Sequence, residues 1–229
     1  GAKVIETNTF GASSIVLAEY DLEDRTVEIN RAAVANARIA IGERTGCYVV
    51  GSVGPTTKLP SLSHISVEDL GATLGEQIRA LVEAGVDALA IETCQDLLQV
   101  KVALVACFEV LEELGRKLPV LVSVTMERQG TMLVGSDIAA ICATLEPFPI
   151  FSLGLNCATG PSDMASHIRY LSHNWPQRIS CMPNQGLPEL VDGKTHYPMQ
   201  PEDFVHHMRQ FIEKDGVSIV GGCCGTTPD

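Results

Sequence analysis

The chain has 229 residues, 45% of them hydrophobic and 19% charged, a balance that buries a sizeable core and excludes a disordered chain. A formal net charge of −12 excludes nucleic acid as a partner, because phosphate contacts need a concentrated surplus of Lys and Arg. No run of about 18 apolar residues exists, so no membrane span is expected, and the first residues enter a strand pattern without a signal peptide.

Strands are expected over Val4–Thr7, Tyr48–Ser52, Ala88–Glu92, Val120–Thr125, Phe151–Asn156, Arg178–Met182 and Ser218–Val220, with helical patterns in the gaps. Ser66-Val67-Glu68-Asp69 resembles a capping box, and the apolar period behind it runs through Leu70, Leu74, Ile78, Leu81 and Val82 to a stop at Gly85. Another helix is expected from about Asp96 to Leu114, closed by Gly115. Pro201-Glu202-Asp203 opens the last one, with Pro in the first turn and acids at the positive helix end.

Alternating strands and helices imply a parallel sheet, and strands that read as nearly continuous apolar runs imply that both faces are covered. The fold class expected is α/β, and of its two main forms the (β/α)8 TIM barrel is preferred over the doubly wound sheet. Polar residues follow many strands, among them Glu6-Thr7-Asn8-Thr9, Gly54-Pro55-Thr56, Glu92-Thr93, Asn156-Cys157, Pro183-Asn184 and Cys223-Cys224. Seven strands are readable where a barrel needs eight. Gly1-Ala2-Lys3 looks like the entry to a strand after a helix stop, and Thr226-Thr227-Pro228-Asp229 like the start of a helix. Residues 1–229 are therefore read as one barrel module incomplete at both ends, lacking its first strand–helix unit and its last helix, in a larger polypeptide.

Eight cysteines suggest a disulfide framework only in a short secreted domain, which this chain does not resemble, so a reducing cytoplasm is expected. Cys47, Cys107 and Cys142 lie in apolar surroundings and read as small hydrophobes. Cys223 and Cys224 are different, because glycines flank them in Gly221-Gly222-Cys223-Cys224-Gly225. Adjacent cysteines can hold one metal only if the backbone turns sharply, which those glycines permit. A strained vicinal disulfide and a pair of inert buried thiols are the alternatives.

Cys157, at the end of another strand, supplies a third sulfur, since barrel strand ends open on one face. Three thiolates favour zinc, and three protein ligands leave the open position of a catalytic site. Cys94 follows a strand end but is read as already helical, and Cys181 reads as core. Zn²⁺ with three thiolates carries a charge of about −1, a poor Lewis acid for hydrolysis. It suits a fourth thiol, whose pKa of about 8.5 it lowers while leaving the sulfur nucleophilic.

The Gly-Leu-Asn-Cys run at 154–157 and Gly-Gly-Cys-Cys-Gly-Thr-Thr-Pro at 221–228 carry a resemblance over essentially the whole chain. Glu6-Thr7-Asn8-Thr9-Phe10-Gly11, Gly54-Pro55-Thr56, Ile91-Glu92-Thr93 and Pro183-Asn184 support it. The chain resembles the homocysteine S-methyltransferases, and among them the homocysteine-binding module of cobalamin-dependent methionine synthases. The resemblance implies a barrel whose zinc activates homocysteine for methylation to methionine.

It further implies that Glu92 meets the substrate's ammonium group, and that Asn8 and Thr9 contact its amino-acid portion unless they only cap the following helix. Asn156 is expected to orient Cys157, and Asn184 is a candidate weak fourth ligand unless Pro183-Asn184-Gln185-Gly186 is simply a turn. His206 and His207 read as solvated. Methylcobalamin, bound by a module of the same or another chain, is the preferred donor. S-methylmethionine or betaine as donor, or a non-catalytic structural zinc module, are the rivals.

Overall fold

A computed structural model describes residues 1–227 of the chain, which divides into two compact units, Gly1–Leu121 and Val122–Asp229. Pro228 and Asp229, part of the helix start read at 226–229, lie outside the described residues. Among the described residues no helix is long and apolar enough to cross a membrane.

The first unit runs β1 (Val4–Glu6), α1 (Ser14–Leu17), α2 (Thr26–Ile41), β2 (Tyr48–Val53), α3 (Val67–Glu83), β3 (Ala88–Cys94) and α4 (Leu97–Glu113), and β4 (Val120–Val124) begins at its end. β1 pairs with β2 in parallel from Val4↔Tyr48 to Glu6↔Val50, and β2 with β3 from Val50↔Ala88 to Val53↔Ile91. β2 and β3 are buried over nearly their whole lengths, which is why they read as continuous apolar runs. Gly51 lets α3 approach the sheet, since a Cβ there would stand 3.1 Å from Leu81 and Leu89.

Helix α3 begins at the expected cap: Ser66 Oγ accepts the Asp69 N–H at 3.0 Å, a contact worth about 1 kcal/mol. Its buried face is Leu70, Leu74, Ile78, Leu81 and Val82, the stripe that the period predicts. Asp96 caps α4 by accepting the Leu98 N–H at 2.9 Å. Cys94 departs from its expected helical setting. β3 continues two residues past Glu92, so Cys94 is the last residue of the strand and its thiol is buried.

The second unit holds the end of β4, then α5 (Ile138–Leu145), β5 (Ser152–Asn156), α6 (Pro161–Asn174), β6 (Arg178–Met182), β7 (Glu189–Val191), β8 (Lys194–His196), α7 (Pro201–Asp215) and β9 (Ile219–Val220). β5 pairs with β6 in parallel from Ser152↔Arg178 to Asn156↔Met182, and β6 pairs with β9 through Ser180↔Ile219 and Cys181↔Val220. Cys181 is buried in this sheet, its thiol 3.9 Å from the Met164 sulfur, the core role expected of it. β7 and β8 form a separate antiparallel hairpin, in a stretch where the sequence points to no strand. The fold is thus α/β with parallel strand pairs joined through helices.

Candidate metal centre

The centre is built where β5, β6 and β9 end. Asn156 closes β5, buried, and its Oδ1 accepts the Ser123 hydroxyl at 2.7 Å. Cys157 and Ala158 then both adopt left-handed backbone, at φ 58 each, a conformation that costs a non-glycine residue about 1–2 kcal/mol. Cys157 N–H donates to the Met182 carbonyl at 3.1 Å, so the neighbouring strand holds the residue in place.

The chain after β6 grips the chain after β9. Cys223 N–H donates to the Pro183 carbonyl at 2.9 Å, Gln185 N–H to the Cys224 carbonyl at 3.0 Å, and Cys224 N–H to Asn184 Oδ1 at 3.1 Å. Both flanking glycines are sterically required: a Cβ on Gly222 would lie 2.4 Å from the Thr226 side chain, and one on Gly225 2.4 Å from the Tyr197 ring. Asn184 therefore does more than make a turn, because its buried carboxamide fixes the backbone of a cysteine.

The result is convergence of three sulfurs. Cys157 and Cys224 Sγ lie 3.8 Å apart, Cys223 and Cys224 Sγ 3.9 Å, and all three fall within 4.8 Å of one another. Tetrahedral zinc with Zn–S bonds of about 2.3 Å places its sulfurs about 3.8 Å apart, so the donor set fits that metal in chemistry and in spacing. None of the eight cysteines, all among the described residues, is in a disulfide.

Their proton distribution is uneven. The hydrogen bond from Cys223 is the main cause that lowers the Cys157 thiol to about 5. The Ala158 N–H, Cys224 and the Asn184 side chain assist, against burial. The same contact with Cys157, then burial, pushes Cys223 up. Cys94, Cys107 and Cys181 are each pushed up to about 12, with burial the leading cause, and stay inert thiols.

The remaining candidates gather in the first unit. Glu92, near the end of β3, accepts the Ser52 hydroxyl at 2.5 Å. Thr9 is buried, and its hydroxyl donates to the Ser52 carbonyl at 2.6 Å and meets Thr7 Oγ1 at 2.7 Å, whereas Asn8 is exposed. Alternation along the paired strands puts Glu6, Val50, Ser52, Ala88, Ala90 and Glu92 on one face of the sheet.

In the sequence Glu6 stands only within a strand-end motif with no role of its own, and Ser52 only as the last residue of an expected strand. Glu6 is exposed as a residue, yet burial around its carboxyl and then the charge of Glu92 raise it to about 7. The signal that identifies both is strand register combined with side-chain parity.

The profile of the homocysteine S-methyltransferase family matches residues 1–229. The chain is 43% identical over 233 aligned positions to the methionine synthase of Mycobacterium leprae, covering 100% of this chain and 19% of that protein. It is 42% identical to the methionine synthase of Mycobacterium tuberculosis, covering 20% of it. It thus spans about a fifth of the length of these curated relatives. Among solved structures, the metallated form of the homocysteine methyltransferase MmuM from Escherichia coli shares the fold. Its TM-score is 0.78 at 24% identity, over 100% of this chain and 77% of that one.

Proposed function

From a chain that belongs to the homocysteine S-methyltransferase family, we propose a methyltransferase module that holds zinc on Cys157, Cys223 and Cys224 and activates homocysteine for conversion to methionine. One observation carries this reading: three cysteine sulfurs lie within 4.8 Å of one another at the ends of strands. Zinc bound by three thiolates supplies a weak Lewis acid that keeps a substrate thiol deprotonated and nucleophilic at neutral pH.

The chain's own residues prepare that position. Left-handed Cys157 and the glycine-flanked Cys223-Cys224 turn fix three donors and leave the fourth site to the substrate. Asn156 anchors the start of the Cys157 turn. Asn184 holds the Cys224 backbone, and its carboxamide oxygen keeps a second lone pair with which to act as the weak fourth ligand. Glu92, oriented by Ser52, takes the substrate's ammonium group, and Asn8 and Thr9 frame its amino-acid portion.

In this reading residues 1–229 form part of a (β/α)8 barrel module of a larger cytoplasmic polypeptide. Its methyl donor is methylcobalamin carried by another module of the same or another chain. The much greater length of the curated relatives supports that arrangement.

Metal analysis tests the centre. Purified protein is expected to carry one zinc per chain, and Cys157→Ser, Cys223→Ser and Cys224→Ser each to lose most of it. Zinc-edge absorption is expected to show three sulfurs and one light atom, becoming four sulfurs with homocysteine. In Asn184→Ala the substrate-bound spectrum is unaltered. Full zinc retention in any serine variant removes that cysteine from the centre, and four sulfurs without substrate contradict an open position.

A further inference from the structure

β1 stops pairing with β2 one step short of Ser52. Its last ladder bond runs from the Thr7 N–H to the Val50 carbonyl at 2.9 Å. In a continued parallel ladder the Ser52 N–H would reach the Thr7 carbonyl, and the Ser52 carbonyl the Thr9 N–H. Instead the Thr9 N–H turns back onto the Thr7 carbonyl at 2.8 Å, and the two side chains stand in for the backbone. The Ser52 N–H donates to Thr7 Oγ1 at 3.0 Å, and the Thr9 hydroxyl donates to the Ser52 carbonyl at 2.6 Å.

The two hydroxyls meet at 2.7 Å, and only one direction of donation is open between them. The single Thr9 proton already serves the Ser52 carbonyl, so the Thr7 hydroxyl donates to Thr9. The bonds close into a ring: Ser52 N–H to Thr7, Thr7 to Thr9, Thr9 to the Ser52 carbonyl. Each hydroxyl in it gives once and takes once, and bonds chained this way strengthen one another. Thr7, Thr9 and Ser52 are all buried, so removing one member leaves a buried polar group unpaired. From α3, buried Gln77 ties the turn down, its Nε2 donating to the Thr9 carbonyl at 2.7 Å. What the ring holds is the residue of β2 whose hydroxyl reaches Glu92 Oε1 at 2.5 Å.

We propose that Thr7 is a positioning residue: by closing this ring around Ser52 it holds the Ser52 hydroxyl on Glu92, and so gives the module its preference for thiols that carry an α-amino group. The proposal rests on the reading of Glu92 as the partner of the substrate's ammonium. A hydrogen bond on one carboxylate oxygen fixes the direction in which the group faces, and pairing with an ammonium depends on that direction. Selectivity then originates in a buried threonine as well as in the carboxylate itself. Threonine suits the role because its hydroxyl both donates and accepts, and its branched Cβ restricts χ1.

A pair of thiols tests it: homocysteine, and 4-mercaptobutyrate, the same chain without the amino group. Both are titrated calorimetrically into the zinc-loaded protein and into its Thr7→Val variant, which keeps the shape of the side chain and removes the hydroxyl. Homocysteine affinity is expected to fall about tenfold in Thr7→Val, the scale of one hydrogen bond to a charged group. Affinity for 4-mercaptobutyrate is expected to stay within about twofold, with zinc content intact. Thr7→Ser is expected to restore homocysteine binding, and Thr7→Val to change little in a Glu92→Gln background. Unchanged homocysteine affinity overturns the proposal. So does equal weakening of both thiols, which means that Thr7 merely holds the fold, or a full loss still seen in Glu92→Gln. If Thr7→Val unfolds, Thr7→Ala lacks the same hydroxyl without added bulk and is judged by the same outcomes. A parent protein that binds both thiols equally overturns the reading of Glu92 itself, whereas a preference that survives Thr7→Val overturns only the role of Thr7.

Discussion

Ser52 donates its hydroxyl to Glu92 and so orients that carboxylate, while burial and then the charge of Glu92 raise Glu6 on the same face. If Glu92 pairs with the ammonium of homocysteine, Glu92→Gln removes a charge-assisted bond worth about 1.5–3 kcal/mol. Titration calorimetry is then expected to show homocysteine affinity lowered about tenfold or more with zinc content intact. Unchanged affinity removes Glu92 from the substrate site. Glu6 makes a separate prediction about stability. Its carboxyl titrates near 4.5 by reference and near 7 in the folded protein, so the folded state holds the extra proton between those values. Stability from this group is therefore full below the lower value and is lost as pH rises through the higher one. Glu6→Gln is expected to leave the unfolding temperature almost unchanged near pH 4 and to raise it by a few degrees near pH 8. An equal shift at both pH values would show that the carboxyl is not perturbed.

At the level of elements, what the sequence disclosed tracks how each element is held. The parallel strands are legible because burial on both faces makes them apolar runs, and their ends fall within a residue or two of those expected. Helix α3 is legible from its cap and its stripe alone. The hairpin of β7 and β8 is not, since its residues are exposed and no alternation points to a core. The one sign of it was Asp192-Gly193, whose φ values of 49 and 73 are those of a tight hairpin turn. The cysteine pair was readable because glycines announce a sharp turn. The left-handed backbone at Cys157 and Ala158 was not, because neither residue type favours it. The face shared by Glu6, Ser52 and Glu92 needs the register between strands, which no single segment of sequence contains.

For the whole molecule the open question is the methyl donor. A small sulfonium or ammonium donor is best held against aromatic faces, and aromatic residues make up only 5% of this chain. Phe10, the clearest aromatic candidate among the loops that follow strands, packs against Gly54 so tightly that a Cβ there would stand 2.7 Å from its ring. One edge of that ring is thus packed against the backbone. Methyl-transfer assays offering each donor separately are expected to give methionine from methylcobalamin, free or on a protein partner, and little from S-methylmethionine or betaine. Efficient turnover with either small cation would reassign the donor.

The outlying hairpin offers a practical opening. Its two strands are exposed along their whole lengths, and the joined ends of its loop lie at Gln185 and Met199, well behind the tip. Lengthening a loop costs only a logarithmic increment of entropy, and exposed tips are where inserted sequence is best tolerated. A tag or a fluorescent domain spliced between Asp192 and Gly193 would project into solvent, giving the molecule a handle on an exposed turn.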